Sequence, residues 1–71
     1  MAESVYKVIE LVGTSTESWE KAASAAVERA AETLRDLRVA EVVEQDVSIK
    51  EGKVEFYRVK LSVSFKYEAT D

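Results

Sequence analysis

Cysteine, histidine and proline are all missing from this 71-residue chain, and glycine occurs only twice. Without cysteine there are no disulfides, and without cysteine or histidine there are no zinc sites of the usual kind. The same absences remove a thiolate nucleophile, an imidazole base and any Ser-His-Asp triad. A carboxylate pair or a lysine could still catalyse, but no residue of either kind is singled out, so the chain is expected not to be an enzyme. The lack of proline and scarcity of glycine leave little sign of a linker or a long disordered tail. Basic residues are outnumbered, ten against fourteen acidic ones, for a formal net charge of −4. That balance argues against nucleic acid or an anionic membrane as main partner, because phosphate binding needs clustered Lys and Arg. The apolar runs are too short to span a bilayer and no signal peptide opens the chain, so a cytoplasmic protein is expected.

The length allows one domain, residues 1–71. A chain this short buries only roughly 60% of its unfolded surface, and domains of this size usually lean on a disulfide, a metal or a partner subunit. With disulfides excluded, oxygen-ligated ions or self-association remain.

What is present reads as strand, helix, strand, strand. Val5 to Val12 is rich in β-branched residues and is expected to stop at Gly13. Thr14 and Glu17 have capping-box spacing, and Ser15 competes as N-cap. Trp19, Ala22, Ala23, Ala26, Val27, Ala30, Leu34 and Leu37 then recur at helical spacing, forming one apolar stripe over about five turns. Alanine dominates its middle, which lets the helix approach a sheet closely. Val39 to Ile49 and Val54 to Tyr67 read as strands joined through Lys50-Glu51-Gly52-Lys53, a hairpin. In the last strand Tyr57, Val59, Leu61, Val63, Phe65 and Tyr67 alternate with Arg58, Lys60, Ser62, Ser64 and Lys66, so the apolar set must face the helix.

With a loop of two or four residues Ile49 lies opposite Val54, and Ala40 and Val42 join the helix-side core. The reverse face then collects Val39, Glu41, Val43, Gln45 and Val47 with Phe56, Arg58, Lys60, Ser62 and Ser64. Arg58 and Lys60 are expected to pair with Glu41 across the hairpin or with a neighbour's acids. A three-residue loop would turn one strand over. One helix cannot cover both faces of this sheet. Strands of roughly 35–45 Å also overhang a helix of some 22 residues, about 33 Å long. Exposed valines on such a ribbon call for another subunit, and symmetric self-association supplies it.

The segments VYKVIELVGTS, ESWEKAASAAVERAAETL, AEVVEQDV and YRVKLSVSFKY, in this order, resemble the dodecin family over nearly the whole chain. The resemblance implies an α+β subunit of βαββ order, three antiparallel strands wrapped around one helix. It also implies assembly of twelve copies into a hollow sphere of cubic symmetry, a homododecamer. The family binds flavins (riboflavin, FMN or related forms) in pairs at subunit contacts, for storage or quenching and without catalysis. In typical members a tryptophan stacks on the flavin and a glutamine bonds its polar edge; the matching positions hold Val39 and Arg58. Val39, Gln45 and Arg58 thus mark the face equivalent to the flavin pocket. Valine has no aromatic plane to stack, and arginine only donates, so it cannot replace the acceptor of an amide.

RVAEVVEQDV and YRVKLSVSFK look closer to the calcium-binding branch of the family. Calcium takes six to eight oxygen ligands. Glu17, Glu44 and Asp46 are the candidates, since symmetry can bring copies of one carboxylate together. The expected function is therefore a non-enzymatic homo-oligomer that binds or stores a small ligand, a calcium-type cation before flavin. Flavin sequestration in a remodelled pocket, or a purely structural assembly, are the alternatives.

Overall fold

A computed structural model describes residues 3–67. Strand β1 (Tyr6–Ser15) is followed by helix α1 (Trp19–Ala31) and the long strands β2 (Leu37–Lys50) and β3 (Lys53–Lys66). This is the expected βαββ order. The sheet is antiparallel with β3 in the middle, in the order β1-β3-β2.

The helix-side face is built as the alternation of β3 predicts. Val59, Leu61 and Val63 are each about 1% exposed and pack with fully buried Ala22. Ile9, Leu11, Trp19, Ala23, Ala26, Val27 and Leu37 close around them. The helix lies mainly over β1 and β3 and barely reaches β2, so Val42 stays about half exposed although it faces the same side as buried Leu61.

Several boundaries differ from the sequence reading, each for a local reason. β1 does not stop at Gly13 but runs through it to Ser15, with Gly13 opposite Val59. The glycine is there for proximity: a Cβ on it would lie 2.2 Å from the Ala22 carbonyl oxygen and 3.0 Å from the Ala26 Cβ. Neither Thr14 nor Ser15 caps the helix. Ser18 does, its hydroxyl accepting from the Lys21 amide at 3.1 Å, while the Ser15 hydroxyl accepts from the Glu17 amide at 3.0 Å in the turn before it. The helix ends at Ala31, so it has 13 residues and spans about 20 Å. Leu34 and Leu37 keep the apolar period but lie beyond it. The Leu34 amide still bonds to the Ala30 carbonyl at 2.9 Å, and Asp36, at φ 64, then turns the chain into β2. The overhang is therefore larger than the sequence implies, since β2 and β3 have 14 residues each, about 46 Å. The described residues measure 54 Å along their longest axis.

The hairpin turn is tight. Lys50 pairs with Lys53, leaving Glu51 (φ 53) and Gly52 (φ 77) as the two loop residues. Two successive positive φ values are those of a type I′ turn, whose twist matches the strands.

Candidate functional site

The face turned away from the helix has no cover among the described residues. Its central rows, read across β1, β3 and β2, are Glu10–Ser62–Glu41, Val12–Lys60–Glu44 and Thr14–Arg58–Asp46. These rows follow from a bulge. Val42 pairs with Leu61 but Glu44 pairs with Lys60, so Val43 is an extra residue in β2 with no partner across the ladder. The bulge turns over the residues that follow it. Gln45 is opposite buried Val59 and Val47 opposite Tyr57, both on the helix side, which corrects their expected place on the reverse face. Val39, Glu41, Arg58, Lys60, Ser62 and Ser64 are where expected. Glu44 and Asp46 take the positions expected for Val43 and Gln45.

Asp46 meets Arg58 in a two-pronged pair: Nε donates to Oδ1 at 2.7 Å and a terminal guanidinium nitrogen to Oδ2 at 2.9 Å. Both side chains are about half exposed. The hydrogen bonds from Arg58 hold the Asp46 carboxyl below its ordinary value; desolvation opposes them, and the charge of Arg58 adds to the lowering. Arg58 is raised in return, first by the same hydrogen bonds and then by the charge of Asp46, with Glu44 adding to them. Lys60 reaches the other way, to Glu10 on β1 at 3.7 Å. The expected partner of Arg58 and Lys60, Glu41, pairs with neither; it sits opposite Ser62. Val12, Glu44, Asp46, Arg58, Val59 and Lys60 line a cleft of about 180 Å³.

The backbone at Asp46 is tied to the start of α1. The Trp19 indole N–H donates to the Asp46 carbonyl oxygen at 2.9 Å, and the indole packs edge-on against Tyr57 with centroids 5.2 Å apart. Trp19 thus fills the core and also holds the outer strand, a role its helical spacing alone does not disclose.

The candidate residues do not gather at one point of the protomer. Val39 is opposite Ser64, six residues along β3 from Arg58, a separation of about 20 Å. Gln45 lines a crevice on the other face with Trp19, Glu20, Ala23, Val42 and Val59. Glu17 precedes the helix and binds Lys21 at 2.6 Å. Glu44 and Asp46 share the open face, and Glu44 has no ion-pair partner among the described residues. No three acidic side chains among those residues cluster in a way that could hold a metal ion.

The chain is a βαββ domain whose helix leaves a charged sheet face open, and comparison with known proteins gives its family. The Dodecin family model matches residues 5–68. The chain is 54% identical over 63 residues to the calcium dodecin of Mycobacterium tuberculosis, covering 89% of each chain. It is 50% identical over 66 residues to the dodecin of Thermus thermophilus, covering 93% of this chain and 96% of the relative. The fold matches the crystal structure of the M. tuberculosis calcium dodecin, described as calcium-chelating with a novel calcium-binding site, at a TM-score of 0.82 and 52% identity. That match covers 96% of this chain and 97% of the other. Dodecin from Streptomyces coelicolor superposes at 0.92 with 37% identity, covering 99% and 100%. This chain belongs to the dodecin family.

Proposed function

We propose that copies of this chain close into a homo-oligomer, a dodecamer on the family's pattern, that binds and buffers a small ligand without catalysing a reaction. The ligand is a cation of calcium type. One observation carries this reading: the sheet face left open by the helix presents Glu41, Glu44 and Asp46 along β2, and among the described residues Arg58 and Lys60 beside them engage Asp46 and Glu10. Similarity to a protein named calcium dodecin supports it.

The donor set fits calcium only in part within one protomer. Both Asp46 oxygens are taken by Arg58, so Glu44 is the carboxylate ready to ligate, and Asp46 joins it once Arg58 swings away. Six to eight oxygens therefore require copies of these residues from neighbouring subunits, with carbonyls and water. The bound cation would supply positive charge where the carboxylates of several copies approach.

Calorimetry with calcium on chelator-treated protein tests the proposal, with native mass spectrometry to count subunits. A saturable heat is expected, weakened about tenfold or more in Glu44→Gln, in keeping with loss of a charged ligand at an oxygen site. No heat from an intact oligomer removes the cation. Riboflavin and FMN titrations then separate the other readings. Quenched flavin emission moves the ligand to flavin despite Val39 and Arg58, and unquenched emission leaves a structural assembly.

A further inference from the structure

Two irregularities in the β2–β3 ladder cancel each other. Val43 is the extra residue in β2, and five residues later the step from Ser48↔Phe56 to Ile49↔Val54 leaves Glu55 as the extra residue in β3. Pairing from Val39 to Val42 and from Ile49 to Lys50 is in the same step, and between these two bulges it is displaced by one residue; a separate shift lies at the start of β2, between Leu37 and Val39. The chain therefore has a second way to pair, with no bulge at either place. In that register Val43 faces Lys60, Glu44 faces Val59, Gln45 faces Arg58, Asp46 faces Tyr57 and Val47 faces Phe56. Backbone positions are kept, because one residue replaces the next on the same track. The Trp19 indole, now bonded to the Asp46 carbonyl, would find the Gln45 carbonyl in its place. Only the side chains change faces.

Regular pairing recovers two bulged residues, so something must hold the bulged form. Regular pairing would set Glu44 against Val59, which is about 1% exposed, and Asp46 against Tyr57 beside Trp19. It would also break the two hydrogen bonds from Arg58. We infer that the Asp46–Arg58 pair is a register lock: it decides whether the open face presents Glu44 and Asp46 or instead Val43, Gln45 and Val47. The pair is thus the specificity determinant of this face. One register offers carboxylates to a cation, the other an aliphatic and amide surface that no cation would choose. The inference concerns strand pairing and stands whether or not a cation binds.

The chain has no cysteine of its own, so paired cysteines report register cleanly. Ser48→Cys with Phe56→Cys faces a partner only in the bulged register, and Val47→Cys with Phe56→Cys only in the regular one. The rate of disulfide formation within a chain is read by mass spectrometry in a thiol redox buffer, on the assembled protein. With the lock intact the first pair closes about tenfold faster or more, because a disulfide needs Cβ atoms about 3.5–4.5 Å apart. Arg58→Gln lowers that ratio, and the charge swap Asp46→Arg with Arg58→Asp restores it. Glu44→Val with Asp46→Val, which removes the carboxylates and favours strand, inverts it. Far-UV circular dichroism shows whether each variant folds. Should Arg58→Gln unfold, the double valine variant decides alone. A ratio that stays tenfold in that folded variant overturns the inference, as does one that Arg58→Gln leaves unchanged.

Discussion

Replacing Gly13 by alanine is the smallest change that should do large damage. The added methyl has no rotamer in which to escape. It would sit 2.2 Å from the carbonyl oxygen of Ala22 and 3.0 Å from the Cβ of Ala26. The first neighbour is main chain in the first turn of α1, so relief requires moving the start of the helix off β1. Ala22 is fully buried against Val59, Leu61 and Val63, and that shift opens the core. Overpacking costs about 1–3 kcal/mol, and a backbone obstacle places this case at about 3 kcal/mol or above. The opposing gain from a stiffer unfolded chain is only about 0.4–1 kcal/mol. For a domain of this size, 3 kcal/mol corresponds to roughly 12–24 °C in melting temperature. Thermal unfolding followed by circular dichroism, at one fixed subunit concentration, reads it. Gly13→Ala combined with Ala26→Gly should recover little, because the carbonyl obstacle remains. A loss below about 1 kcal/mol, or full rescue by Ala26→Gly, would refute the close-approach account.

Two further outcomes are expected. Glu51→Asn should stabilise the hairpin by about 0.5–1 kcal/mol, part of the roughly 1–2 kcal/mol an ordinary residue loses at positive φ, since Asn-Gly suits a type I′ turn; denaturant unfolding at unchanged slope checks it. The Asp46 carboxyl, lowered by Arg58, should titrate below the ordinary 3.8 by carbon-detected NMR and return towards that value in Arg58→Gln. Because the folded value is depressed, the pair's contribution to stability is complete above 3.8 and fades as pH falls through the folded midpoint, so the Arg58→Gln chain should show less acid sensitivity in that window.

Much of the fold is written in local pattern. The strict alternation from Tyr57 to Phe65 names the buried residues Val59, Leu61 and Val63, and the alanine stripe names the helix face. Gly13 was legible as special but not for the right reason, because a chain break and a close approach use the same residue; only the helix overhead tells them apart. Ser18 was hidden among three hydroxyls with workable cap spacing. The apolar period overstates the helix, because Leu34 and Leu37 continue it after the helix has ended at Ala31. The site was the least legible part. An extra residue at Val43 reverses everything after it, so Gln45 and Val47 were assigned to the wrong face and Arg58 was matched with Glu41 instead of Asp46. The signal was present in the alternatives themselves: regular pairing sets Glu44 against Val59, a conflict that a bulge resolves.

The strand order carries a consequence for how the protein is made. Among the described elements β1 is made first, yet its one partner in the sheet is β3, made after the other three. Until β3 has been made, the first strand and the helix have no central strand to join, and β2 must wait as well. The nascent chain therefore cannot begin its sheet in stages. Losing even the final turn of synthesis within β3 removes the partners of Tyr6 to Ile9 and of Leu37 to Ala40 together, so truncated products should have no folded half to rescue them.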